Sequence, residues 1–224
     1  VEEIEQRAKK HNLKVIYDAA HAIGTSYKGE SVLEWGDVSA VSLHGTKIYN
    51  TAEGGACIVP DMTLFEKIKR IRFFGHDNNK NIVEDGLNGK MTEVHAALGL
   101  ANLKYYDQVL LDRKQKYKYY LDRLSINREV SFQKIIDEGC NYAYLPVIFK
   151  DESTLIGVEK ALNNSDVYPR RYFYPALNTM ENIVDFIDMP IAEDISKRIL
   201  ALPLYLSLAE RDIDRVCEII LREI

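Results

Sequence analysis

Lys47 and Asp18 are the two residues whose type and placement best equip this chain for chemistry. Lys47 stands in Ser42-Leu43-His44-Gly45-Thr46-Lys47 and is followed by Glu53-Gly54-Gly55, while Asp18 closes Val15-Ile16-Tyr17-Asp18. A lysine amine attacks a carbonyl only when it is partly neutral, which calls for desolvation or nearby positive charge. Small residues and hydroxyls ahead of Lys47, then a glycine pair opening an apolar run, describe a tight loop at a sheet edge. A carboxylate at the end of another strand suits a pyridine-ring cofactor, because it keeps the ring nitrogen protonated. A Schiff-base lysine with an acidic pyridinium partner is the minimum set for pyridoxal phosphate. Taken alone, the pair is weak evidence and better suits a salt-bridging lysine in a loop. The ordered set around it gives the reading its weight.

The elements that must hold these residues follow from periodicity. The first half reads as an amphipathic helix over residues 1–12 and strands over 14–18, 38–43 and 55–60. A helix over 62–74 comes next. Residues 75–89 form a polar, Gly- and Asn-rich stretch, long for a compact domain and therefore functional or partly disordered. Residues 91–124 read as one helix bent near 103–107. Beyond it the pattern becomes α+β: a strand over 141–150, a helix over 153–163 and an extended segment over 168–174. Then come a helix over 191–199, an extended Leu202-Pro203-Leu204 and a closing helix over 208–224. The expected domains are 1–107 and 108–224.

Bulk properties exclude several classes of function. With 224 residues and a net charge of −5, the chain gives no reason to expect nucleic acid or an anionic membrane as partner. Cys57, Cys140 and Cys217 are odd in number and widely spaced, so no metal site or disulfide framework is expected and a reducing cytoplasm fits. No apolar run reaches transmembrane length, and no signal-peptide layout is present. The chain opens in mid-helix without an initiator methionine, which reads as a cut from a longer protein, and residues 1–224 alone are expected to be inactive.

The order Asp18-Ala19-Ala20-His21-Ala22, Gly24, Gly36-Asp37, Ser42, His44, Lys47, Glu53-Gly54-Gly55 resembles the DegT/DnrJ/EryC1/StrS family of pyridoxal-phosphate nucleotide-sugar aminotransferases. The resemblance continues through Gly86, Asn88, Lys90-Met91, Glu93, Ala96-Ala97 and Gly99-Leu100. It runs on to Arg170-Arg171-Tyr172-Phe173-Tyr174-Pro175 and Leu202-Pro203-Leu204-Tyr205. It implies an α/β fold: the C-terminal part of a fold-type-I, three-layer αβα cofactor domain, followed by a smaller α+β domain. It further implies that Lys47 is the Schiff-base lysine and proton shuttle, and that Asp18 holds the pyridinium nitrogen. His21 would lie beside the cofactor ring and Ser42 would donate to its phosphate. Asn88 would reach the phosphate of a partner subunit, making a homodimer with shared sites. Structural readings stand beside these: Ser42 as a turn cap, His21 as a packed histidine, Glu53 as an anchor of the glycine turn, Asn88 as a turn residue. Lys90 replaces the arginine common in the family and loses its bidentate fork. The family's upstream phosphate loop and ring-stacking aromatic find no counterpart in these residues.

The reaction so implied transfers an amino group from an amino acid, glutamate being the expected donor, to a nucleotide-linked keto-6-deoxyhexose for surface polysaccharide such as O-antigen. Lysine at position 47 argues against the dehydrase branch, where histidine replaces it. Arg170 and Arg171 would meet the pyrophosphate, and Tyr172 and Tyr174 the sugar or base; the alternative is an edge strand whose tyrosines pack on the small domain. Another fold-type-I enzyme such as a lyase, or a non-catalytic fragment, would use the same residues.

Overall fold

Charge order starts the first element. Glu2, Glu3 and Glu5 crowd the first turn of α1 (Glu2–His11) and Lys9, Lys10 and His11 the last, each sign where the helix dipole favours it. Asn12 ends the helix in the left-handed region, at φ 50°. The computed structural model describes residues 1–135 and 139–224. Its contacts divide between Val1–Leu110 with residues 139–141, and Leu111–Ile135 with Tyr142–Ile224.

In the first unit, β1 (Ile16–Asp18) is followed by a hairpin of β2 (Ser26–Tyr27) and β3 (Glu30–Ser31), then by β4 (Val38–Ser42) and β5 (Gly55–Ile58). The sheet order is β1-β4-β5. β1 runs parallel to β4 with Asp18 opposite Ala40, and β5 is antiparallel with Gly55 opposite Ser42. Ala19, Val41 and Leu43 are buried and collect Ala22, Ile23, Leu33, Tyr49, Ile58 and Met91 around them. This small core sits directly under the strand ends that bear Asp18 and Ser42.

Asp61 caps α2 (Met62–Arg72) by accepting from Leu64 N at 2.7 Å, and Thr92 caps α3 (Glu93–Leu103) through His95 N at 3.3 Å. Between them the polar run is an ordered strap folded onto the end of α2. Phe74 N donates to Leu87 O, Leu87 N to Ile71 O and Gly89 N to Arg72 O, all within 3.0 Å. Arg70 binds Glu84 at 2.8 Å. Gly75 makes the fold-back possible: its φ is +73°, and a Cβ there would lie 1.9 Å from Glu84 O. The single bent helix expected over 91–124 is two helices, α3 and α4 (Tyr106–Leu124), parted at Lys104 and Tyr105.

The second unit places β6 (Val130–Phe132), β7 (Leu145–Phe149) and β8 (Ile199–Leu202) in one antiparallel sheet. Leu145, Val147 and Phe149 alternate into the core. Helix α5 (Glu152–Asn163) buries Leu155, Val158 and Leu162 at helical spacing, and α7 (Glu210–Glu223) buries Ile213, Val216, Cys217 and Ile220. Between them in sequence lies α6 (Pro190–Arg198).

Several expectations are corrected here. The short β2–β3 hairpin and β6 were not foreseen. The strand expected over 141–150 is only β7, because Tyr142 and Ala143 give their carbonyls to the Arg113 guanidinium at 3.0 and 2.5 Å instead of to a ladder. The extended segment over 168–174 pairs only at Arg170, with Ala201, and turns at Tyr172 and Phe173. Arg171 is drawn off to Glu152 and Lys197 O, and Tyr172 packs against Tyr144. The extended run expected at 202–204 begins earlier as β8 and stops before Pro203, which has no N–H to continue a ladder.

Candidate active site

Two strand ends and one loop of the first unit bring the candidate groups together. Ala19 N bonds Ala40 O at 2.8 Å, so the chain leaves β1 still tied to β4. Asp18 Oδ1 then accepts from Ala20 N at 3.0 Å, which fixes the carboxylate at the turn. Asn141 holds the next stretch by donating to the carbonyls of His21 and Ile23 at 2.7 and 2.8 Å.

The lysine loop spans residues 43–54. It closes where Leu43 N donates to Gly54 O and Thr51 N to Leu43 O, both at 2.9 Å. Thr51, 2% exposed, turns its hydroxyl onto Glu53 O at 2.8 Å. Gly54 is required there, since a Cβ would stand 2.4 Å from Thr51 Oγ1. On its far side the loop lies on α3: Tyr49 OH donates to Gly99 O at 3.2 Å and Asn102 Nδ2 to Asn50 O at 2.9 Å.

From this loop the half-buried Lys47 reaches His21, its Nζ 3.1 Å from Nε2 and 3.5 Å from Nδ1. Desolvation lowers the His21 pKa, the Lys47 charge lowers it further, and Asp18 opposes both. Because His21 is exposed, that desolvation is partial. A neutral imidazole accepts from the Lys47 ammonium. The structure therefore brings Lys47 to His21, and sets Asp18 where its charge is felt at the same ring.

Ser42 ends β4, and its Oγ accepts from His44 N at 3.4 Å, so it caps the turn while its own hydroxyl proton stays available to donate. His44 is tied to Thr46 at 2.9 Å and to Glu53 at 3.7 Å, which makes both part of the loop's internal bracing. Asn88 is exposed on the strap, its backbone paired with Phe73, and Lys90 lies over the rings of Phe73 and Phe74 at 5.0 and 4.7 Å.

In the second unit the arginines are not presented alike. Arg170 is exposed and pairs by its backbone with Ala201. The Arg171 guanidinium is engaged by Glu152 at 3.1 Å and Lys197 O at 2.7 Å, and stacks on Tyr174 at 3.9 Å. Tyr172 packs edge-on against Tyr144.

The donor set is an amine, an imidazole, a strand-end carboxylate and a strand-end hydroxyl. It fits an aromatic aldehyde with a basic ring nitrogen and an anionic group. No three His, Cys, Asp or Glu side chains among the described residues cluster as metal ligands. An apolar cavity of about 520 Å³ is lined by Ile23, Leu33, Val41, Leu43, Tyr49 and Ile58 among others, and by none of the four candidate groups. Sequence reasoning missed Tyr49, Asn50, Asn102 and Asn141. Uncharged amides and a phenol acting on backbone carbonyls leave no spacing signal; Gly99 inside a helix was the one local hint.

A family model described as DegT/DnrJ/EryC1/StrS aminotransferase matches residues 1–221. The dTDP-4-amino-4,6-dideoxy-D-glucose transaminase of Shigella dysenteriae is 37% identical over 90% of this chain and 57% of its own length. The GDP-perosamine synthase of Caulobacter vibrioides is 33% identical over 93% of this chain and 58% of its own. The chain thus spans about three fifths of the curated relatives it matches. Among solved structures, DesI in the presence of its TDP-sugar product superposes with a TM-score of 0.88 at 29% identity, covering 99% of this chain and 58% of that one.

Proposed function

Because the chain belongs to the DegT/DnrJ/EryC1/StrS aminotransferase family, we propose that the protein is a pyridoxal-phosphate-dependent aminotransferase acting on a nucleotide-linked keto-6-deoxyhexose. Glutamate is the proposed donor. The observation behind this reading is the Lys47 amine held 3.1 Å from His21 on a loop beside the strand that ends in Asp18. Bound pyridoxal phosphate supplies an electron sink for the carbanion left when a proton departs the carbon bearing nitrogen. The chain's own residues would supply part of the rest. Asp18 would keep the ring nitrogen protonated, His21 would lie beside the ring, and the Ser42 hydroxyl would donate to the phosphate. Lys47 would anchor the cofactor and move the proton at the reacting carbon.

In the second unit, the exposed Arg170 and Tyr174 are proposed to meet the nucleotide diphosphate and the sugar or base. Arg171 and Tyr172 are proposed to shape that surface, Arg171 through its stack on Tyr174. The names of the relatives, two nucleotides among them, support a nucleotide sugar as substrate class. The proposed assembly is a homodimer in which Asn88 completes the phosphate site of the partner subunit. A cytoplasmic setting and a role in surface polysaccharide such as O-antigen belong to the same proposal. Among the described residues no helix is long and apolar enough to cross a membrane.

The test is to incubate the full-length protein with pyridoxal phosphate, glutamate and a dTDP- or GDP-linked 4-keto-6-deoxyhexose. Formation of 2-oxoglutarate and the amino sugar in equal amounts is expected. Elimination products without amine transfer would assign the site to a lyase instead.

A further inference from the structure

The hydrogen bonds behind Lys47 lead away from the site to α3. Asn102, half-buried near the end of that helix, donates through Nδ2 to Asn50 O at 2.9 Å. Asn50 donates through its own Nδ2 to Lys47 O at 3.3 Å, and its Oδ1 accepts from Ala52 N at 3.3 Å. One helical turn before Asn102, the carbonyl of Gly99 accepts from Tyr49 OH at 3.2 Å. Gly99 also lets the loop approach closely, since a Cβ there would lie 2.7 Å from Thr51 Cγ2.

We propose that Asn102 is a positioning residue for Lys47, acting through Asn50 to fix the backbone from which the amine is presented. This rests on the reading of Lys47 as the cofactor lysine. A lysine amine hangs on four flexible methylenes, so its location is only as defined as the backbone that bears it. The loop has little core of its own beyond Leu43, Tyr49 and Thr51, whereas α3 is a capped helix and serves as a fixed reference. Gly99 and Asn102 lie three residues apart, on one face of α3, and that face is the bed of the loop. The chemistry of position 102 is specific: Asn50 O and Lys47 O are both acceptors, so the relay needs an amide donor at each step. A carboxylate at 102 has nearly the shape of the amide but would set acceptor against acceptor.

The variants are therefore Asn102→Asp, which keeps shape and removes the donor, and Asn102→Gln, which keeps the donor. Two measurements follow the relay. One is hydrogen exchange at the amides of Lys47 and Thr51, which bond His44 O and Leu43 O within the loop. The other is the rate at which Lys47 condenses with the aldehyde of pyridoxal phosphate, losing water, as trapped by hydride reduction of the C=N bond and peptide mapping. Loss of one hydrogen bond of this kind corresponds to about a tenfold effect. Asn102→Asp is expected to speed exchange at the two amides, and slow capture at Lys47, by about that factor, with helix content and α5 exchange unchanged. Asn102→Gln is expected to restore both to near wild type.

Wild-type exchange at Lys47 and Thr51 in Asn102→Asp would overturn the proposal. So would faster exchange with unaltered capture, or loosening of the whole first unit, which would make Asn102 a general support. Asn102→Gln behaving like Asn102→Asp would overturn it as well. If the wild-type protein captures no aldehyde at Lys47, the aminotransferase reading fails on its own. Exchange, together with acylation of Lys47 relative to Lys90, still decides the relay: wild-type values for both in Asn102→Asp would sink it.

Discussion

Partial desolvation, and after it the Lys47 ammonium, holds the His21 pKa below its ordinary 6.5, while Asp18 pulls the other way. A histidine of lowered pKa takes up its proton more readily in the unfolded chain. Its contribution to stability is therefore full above 6.5 and is lost as pH falls through the folded value. An NMR titration of His21 is expected to inflect below 6.5, and to move upward in Lys47→Met, which removes the second cause but not the first. An inflection unmoved by that change would mean that the amine does not rest on the ring. Asp18 acts at the same scale. Asp18→Asn keeps a hydrogen-bonding group but removes the charge that favours a protonated ring nitrogen. Turnover is expected to fall about 100-fold or more while cofactor titration still saturates; near-normal turnover would take Asp18 out of the chemistry. Lys47 and Asp18 stand out in the sequence by type and order, and His21 and Ser42 by the family resemblance; the structure sets the Lys47 amine against His21, and the roles of all four are proposals. Their supports were not legible there, since Asn50, Asn102 and Asn141 act on carbonyls brought near only by folding.

Elements with strong local signals were read well, and those decided by long-range pairing were not. Helices α1, α2, α5 and α7 show apolar spacing and end charges or caps, and they lie within a few residues of their expected bounds. The hairpin strands β2 and β3 have two residues each and β6 has three, too few for a period-two pattern to register. The Arg170–Tyr174 stretch looks extended by composition, yet Arg171 and Tyr172 find side-chain partners that turn the backbone away. Capping gives this scale its test. Asp151 accepts from Thr154 N at 2.8 Å and from the hydroxyls of Ser153 and Thr154, which lower its pKa to about 2. Stabilisation of α5 by Asp151 is thus present above the ordinary 3.8 and is lost as pH falls through about 2. Asp151→Ala is expected to lower Tm at neutral pH by about 3 °C, with the gap closing near the bottom of that window. A gap that persisted unchanged in strong acid would deny the cap its charge.

At the scale of the whole molecule, the strap between α2 and α3 exposes Ile82, Val83 and Leu87 beside Phe73 and Phe74, together with Asn88. An ordered, polar-capped segment with that much apolar surface suits burial against a second copy. If Asn88 serves the partner's site, Lys47→Ala and Asn88→Ala fail separately but complement when mixed, because the mixed dimer carries one intact site. Statistical mixing of a two-fold dimer is expected to restore about a quarter of wild-type activity; no recovery would place Asn88 in its own subunit's site, and full activity of Asn88→Ala alone would take it out of any site. Everything at this scale depends on which amine bears the cofactor. The most direct measurement is to load the protein with pyridoxal phosphate, reduce with borohydride, digest and map the pyridoxyl group by mass spectrometry. The expected result is a single label on Lys47, absent from Lys47→Ala. Label spread over other lysines, or concentrated on any one of them, would contradict the assignment of this loop as the catalytic centre.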